Sequence, residues 1–194
     1  LELLECGGKG GKPGPCPEHE NKTKANPKFK AWFGDSKIVD AKGEPLVMYH
    51  GTNAEFDAFD KKFAKKTDIK GFYFTSNPDA AAAFGATRIV ATYISMKNPA
   101  SMKDVEAIAR SGVKTQNLHA ELKKRGFDGV YEPSRNLVIA FEPNQIKSAT
   151  SNAGEFNPKS KNINESVRLE AIAAALESVR TTDEARVILE SLYP

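Results

Sequence analysis

Two short motifs hold the residues best equipped for chemistry. Tyr49-His50-Gly51-Thr52 ends an apolar run, and Gly71-Phe72-Tyr73-Phe74-Thr75 follows twenty residues after Gly51. A strand ending in His-Gly-Thr presents an imidazole, a bare backbone and a hydroxyl at one sheet edge. A second strand then brings a phenol and further aromatics. A neutral imidazole carries one donor and one acceptor, which suits a hydroxyl partner. A glycine backbone lets an amide approach closely. Aromatic faces are electron-rich and suit a flat cationic ring. Together these groups suit a polar heteroaromatic ring and a ribose. They do not make a metal site or a nucleophilic triad. The plainer readings are a core histidine, a capping threonine and alternate core aromatics. Alternation sends Phe72 and Phe74 to one face of a strand and Tyr73 to the other, so two core residues and one cleft residue fit together.

The elements around the motifs follow from periodicity. Phe29, Trp32 and Phe33 fall at i, i+3 and i+4 and predict a short helix ended by Gly34-Asp35-Ser36. Ile38-Val39 reads as a strand, Ala41–Glu44 as a turn, and Leu46–His50 as a central strand. Phe56 and Phe59 fall in a connecting loop with a basic run of Lys61, Lys62, Lys65 and Lys66, read first as a solvated loop and second as a contact for phosphate or a nucleic-acid target. After Gly71–Thr75, Pro78 opens an alanine-rich helix to Phe84. Ile89–Met96 is the cleanest strand, stopped by Asn98-Pro99. Val105–Arg110 and Asn117–Arg125 read as helices, with His119 exposed on the second. Val130-Tyr131 and Asn136–Phe141 read as strands. The tail predicts helices over 164–179 and 183–192, with Thr181-Thr182-Asp183 as break and cap.

Composition sets the outer limits. At 194 residues and 40% apolar, the chain can bury one core with an appendage. The net charge of +3 is too mild to indicate nucleic-acid binding by itself. Residues 28–150 carry 19 Lys/Arg against 14 Asp/Glu, or +5, and residues 151–194 carry 5 against 7, or −2. No stretch approaches the roughly 18 apolar residues of a membrane span, and no signal segment opens the chain. The chain starts with Leu, which reads as a fragment, a processed form or a trimmed form. Residues 1–27, rich in Gly and Pro near their start, read as a flexible arm. Cys6 and Cys16 read as loose thiols in that arm. With His19 they lack a fourth ligand and a tight Cys-x-x-Cys pair, so no metal is expected.

His50-Gly51-Thr52, then Gly71–Thr75, then Phe84 eleven residues after Tyr73, resembles the ADP-ribosyltransferases of the diphtheria-toxin and poly(ADP-ribose) polymerase type. The wider run is closer still to the ADP-ribosyltransferase domains of phage-encoded polyvalent proteins. The blocks that carry this likeness are Phe29–Ser36, Glu44–Thr52 and Phe141–Ala149, within about residues 28–162. The resemblance implies an α+β fold: two packed small, mostly antiparallel sheets with surrounding helices, here followed by C-terminal helices over 163–194. It implies NAD as substrate, bound by His50, Gly51, Thr52, Tyr73 and Phe84. His50 and Thr52 would meet a ribose, Gly51's backbone the nicotinamide carboxamide, and Tyr73 and Phe84 the nicotinamide ring. Catalytic roles fall to His50 and Tyr73, and the family's catalytic glutamate falls at Leu137.

Leucine can neither hold a ribose hydroxyl nor stabilise the charge that develops as nicotinamide leaves. Three outcomes follow, in this order: mono-transfer assisted by the acceptor, an inactive domain that binds NAD, ADP-ribose or a virion partner, or an acid displaced to Glu132 or Glu142. Glu142 reads as facing solvent. Poly(ADP-ribose) synthesis is disfavoured. The arginine-specific class is disfavoured, because Glu18-His19-Glu20 is the chain's one Glu-x-Glu and lies in the arm. Arg88 reads as flanking a strand, and Asn144-Gln145 as a structural turn. The resemblance further implies a toxin-like effector with an unnamed protein or nucleic-acid acceptor. The remainder of a larger phage protein is a further partner, and a membrane is not. The expected location is the host cytoplasm, with the virion as the alternative.

Overall fold

The structure, a computed structural model, describes residues 14–64, 68–83 and 86–165. The first helix is one the sequence reading placed in an arm. Helix α1 runs from Pro17 to Ala25 and buries a single residue, Thr23. It has no apolar stripe for periodicity to find. Pro17 opens it, Glu18 and Glu20 lie in its first turn, and Lys22 and Lys24 in its last, each charge favourably placed on the helix dipole. The pairs Glu18–Lys22 and Glu20–Lys24 close at 2.9 and 2.8 Å. Cys16, at its N-cap, is disulfide-bonded rather than a loose thiol. Asn26 then caps α2 (Pro27–Phe33), accepting from the Lys28 amide. The predicted triad Phe29, Trp32 and Phe33 is its buried face.

Seven strands follow: β1 (Met48–Thr52), β2 (Phe72–Thr75), β3 (Arg88–Ile94), β4 (Pro99–Ala100), β5 (Gly129–Glu132), β6 (Leu137–Ala140) and β7 (Ile146–Ser148). Helix α3 (Pro78–Ala82) lies between β2 and β3, and α4 (Met102–Arg110) and α5 (Leu118–Lys124) between β4 and β5. The strands hydrogen-bond as one sheet in the order β4-β5-β6-β2-β1-β3-β7. Every pairing is antiparallel except β4 with β5. The mostly antiparallel α+β expectation holds. The two separate sheets do not appear in the hydrogen bonding, which is continuous.

That sheet must curl. β6 and β7 stand four places apart in the strand order, about 19 Å if flat at ~4.8 Å per strand. The linker between them is residues 141–145, and it contains the 3₁₀ turn Pro143–Gln145. Fully extended, the six steps from Ala140 to Ile146 reach about 20 Å. A 3₁₀ turn rises only ~2 Å per residue, so a flat sheet leaves the linker too short. Inside the curl lie Met48, Phe72, Phe74, Ile94, Val138, Ala140 and Ile146, joined by Phe59 and Ile163. Outside, α4 and α5 cover one flank with Val105, Ile108, Leu118 and Leu122 against Val130 and Ile139. On the other flank α2 packs Phe29, Trp32 and Phe33 against Ala91 and Tyr93.

Packing does not stop at residue 162. Ile163 and Glu165, assigned from sequence to a separate C-terminal segment, are both buried in the domain. The rest of the predicted tail helices lies outside the described residues.

Candidate active site

β1 is the scaffold of the site. It pairs along its whole length with β3, from Met48 opposite Thr92 to Thr52 opposite Arg88, and meets β2 at Tyr49 opposite Thr75. His50 points into the curl, edge-on to Phe59 at 5.1 Å and tilted against Phe74 at 5.4 Å. Its Nδ1 lies 2.8 Å from the carbonyl oxygen of Tyr73. A carbonyl only accepts, so Nδ1 carries the proton and Nε2 becomes the acceptor of the neutral ring. The backbone of β2 therefore fixes the tautomer.

A cavity of about 450 Å³ opens beside this histidine, lined by His50, Thr52 and Tyr73 together with Phe56, Phe59 and Phe63. That volume is within the usual range for a small-molecule site. Thr52 also has the local role weighed for it, since its Oγ1 accepts the Ala54 amide at 3.1 Å. Along β2 the burial alternates as expected, with Phe72 and Phe74 in the core and Tyr73 half-buried. The Tyr73 ring packs with Leu137 on the outer cluster, and its hydroxyl donates to the Ile69 carbonyl at 2.8 Å.

Gly51 and Leu137 are not on this cavity's wall. Gly51 faces α3. A Cβ there would stand 2.0 Å from the Ala81 carbonyl oxygen and 2.9 Å from the Ala86 Cβ. The bare backbone is what lets α3 lie on β1. Leu137 is half-buried at the start of β6, paired with Thr75 of β2 and Glu132 of β5. Phe84, the expected second aromatic, lies outside the described residues, as do Lys65 and Lys66 of the basic run.

The two candidate acids differ from each other. Glu132 ends β5, and its carboxylate accepts from Ser134 Oγ at 2.6 Å, which holds its pKa below the ordinary value. Glu142 does not face open solvent as expected. It bridges Lys61 at 2.5 Å and Lys123 at 2.8 Å. Burial works to raise its pKa, but the hydrogen bonds and charges of Lys123 and Lys61 outweigh that and hold it low. Lys61 is thereby tied down, and Lys62 pairs with Asp60 at 2.9 Å.

His119 is likewise not exposed. Its ring stands edge-on to Phe141 at 4.6 Å, and its Nδ1 is buried with no hydrogen-bond partner among the described residues. Burial first, then the charges of Lys123 and Lys70, lower its pKa. Arg88 flanks β3 as read, paired with Glu55 at 2.8 Å. Gln145 makes the expected structural turn, its Oε1 accepting the amides of Phe141 and Glu142. No group of three or more His, Cys, Asp or Glu among the described residues could hold a metal ion. No helix among them is long and apolar enough to cross a membrane.

A family model described as ADP-Ribosyltransferase in polyvalent proteins matches residues 40–156. The chain belongs to this family. The match takes in every strand from β1 to β7, and with them the cavity and Leu137. The likeness carried by His50-Gly51-Thr52 and Gly71–Thr75 is thus borne out. No curated protein and no solved structure matches the chain. In this transferase the sequence left unseen the aromatic wall. Phe56, Phe59 and Phe63 stand three and four residues apart, a spacing that was legible but fell in a stretch read only as loop.

Proposed function

We propose that this transferase cleaves NAD at its nicotinamide–ribose bond and passes a single ADP-ribose to a macromolecular acceptor. The observation that carries the reading is His50, held by the Tyr73 carbonyl as the Nδ1–H tautomer at the wall of an aromatic cavity. Its Nε2 is then the nitrogen suited to a ribose hydroxyl. In the reaction the bond from the ribose C1′ to the pyridinium nitrogen breaks and nicotinamide leaves neutral. An acceptor atom bonds to C1′ and gives up its proton. Leu137 supplies no carboxylate for that step, so the acceptor's own acidic group assists, and building a polymer is disfavoured.

A second reading of the missing acid has an observation behind it. Glu132 is the direct cross-strand partner of Leu137, and directly paired residues share a face. Its hydrogen bond from Ser134 keeps it ionised.

Membership in a polyvalent-protein family supports a place within a larger phage protein; action in the host cytoplasm on a protein or nucleic acid is part of the same proposal. The test is incubation with labelled NAD and host lysate, reading free nicotinamide and labelled macromolecules. Release and transfer are expected from the native chain. His50→Ala and Tyr73→Ala should each lower both by about a hundredfold, the scale of a misplaced substrate. Neither release nor transfer from the native chain would overturn the proposal.

A further inference from the structure

The family match ends at Phe156, yet Ile163 and Glu165 just beyond it are buried in the molecule. Lys147 on β7 and Glu165 are both fully buried and meet at 2.6 Å. The Lys147 ammonium also donates to the carbonyls of Ser160 and Asn162, at 3.0 and 2.9 Å. The second Glu165 oxygen accepts the Asn157 amide at 2.9 Å, and its carbonyl accepts the Ala153 amide at 2.8 Å. One ion pair thus gathers an irregular strap, residues 157–165, onto the edge strand of the sheet. A buried charge is tolerated only when it is paired and its remaining hydrogen bonds are filled, and here both conditions are met.

The other side of the strap holds the loop that lines the cavity. Ile163 accepts from the Ser148 amide and donates its own amide to the Asp57 carbonyl at 2.7 Å. Asn162 and Ala58 form an antiparallel bridge, and Ala58 lines the cavity. Asn164 Nδ2 donates to the Asp57 carboxylate at 3.0 Å. The Ile163 side chain is buried in the same cluster as Phe59. Among the described residues, the loop bearing Phe56, Phe59 and Phe63 has no strand of its own to hold it. Its backbone anchor is the strap.

We propose that the strap 157–165, clamped by the Lys147–Glu165 pair, positions the aromatic wall of the substrate cavity, so that Glu165 and Lys147 are positioning residues for NAD. This rests on the reading of the cavity as the NAD site. Coupling is tested first without substrate, by amide hydrogen exchange on the full chain, comparing native protein with Glu165→Gln and Asn164→Ala. In Glu165→Gln, exchange over residues 54–63 should rise by about tenfold or more while α4 stays protected, the pattern of a local opening. With NAD, KM should rise about tenfold and kcat stay within about twofold, since the loosened wall weakens binding rather than the chemical step. A strap that loosens with no change over 54–63 overturns the proposal, and so does a loosened loop with unchanged KM. If Glu165→Gln does not fold, Asn164→Ala decides alone, because Asn164 reaches Asp57 at the surface. Faster exchange over 54–63 then supports the coupling, and unchanged exchange overturns it. Failure of the native chain to bind NAD in calorimetry would sink the functional reading while leaving the exchange comparison to judge the strap.

Discussion

Leu137 sits between Thr75 and Glu132 on neighbouring strands, so a side chain at 137 competes directly with Glu132. Introducing an acid by Leu137→Glu would place two carboxylates side by side, costing a few tenths to about 1 kcal/mol. If the acceptor supplies the missing acid, Glu132→Gln leaves nicotinamide release within about twofold of native. If Glu132 is the working acid, release falls by about a hundredfold or more, the range of a lost general acid or base. Release assays on the two single variants and the double separate these cases. At Gly51 the expectation is structural. Gly51→Ala drives a methyl into the Ala81 carbonyl, and α3 must move. A loss of about 1–3 kcal/mol in urea unfolding is expected, and unchanged stability would show that α3 is not seated where the structure has it. That His50 and Tyr73 come together was legible, because both motifs read as neighbouring strands, and the two residues line one cavity. The tautomer was not, because it depends on a carbonyl 23 residues away in sequence.

Among the described α-helices, α4 carries a reciprocal capping box. Ser101 accepts the Asp104 amide and Asp104 accepts the Ser101 amide, which fills two otherwise unpaired donors. Ser101→Ala should cost about 1 kcal/mol in thermal or urea unfolding. The short helix α5 carries a pH dependence. His119 has a folded pKa below its ordinary 6.5 because of burial, then Lys123, Lys70 and Lys61, with Glu142 opposing. The unfolded chain therefore binds the proton more readily. Stability is full above pH 6.5 and falls as pH drops through that value toward the folded pKa. His119→Phe should flatten the slope of urea midpoints between about pH 7.5 and pH 5, and an unaltered slope would assign the effect elsewhere. Elements with an apolar period, α2, β2, β3 and β6, were readable. α1 was not, being held by end charges. β4 and β7, of two and three residues, are too short to show alternation, and only pairing reveals them.

At the scale of the molecule, the curl of the sheet and the strap are one arrangement. A five-residue linker draws β6 and β7 together, and the strap then returns across the cavity loop from the β7 edge. Strand order could not be read in advance, because β6 inserts between β5 and β2 through contacts that local sequence does not specify. The Lys147–Glu165 pair should behave as a unit. Glu165→Gln alone strands a buried ammonium, at about 3–5 kcal/mol. Lys147→Met with Glu165→Leu should cost less than the two singles added together, because one charge is no longer left behind. Unfolding curves on the four proteins give the coupling, and strict additivity would deny it. Lys147 has one further consequence. It is the single buried lysine among the described residues, and its primary amine is ordinary chemistry kept out of reach. An acylating reagent added to the native protein should label the surface amines first and this one last. The delay is a stopwatch on how often the strap lifts, read by mass spectrometry without any substrate or variant.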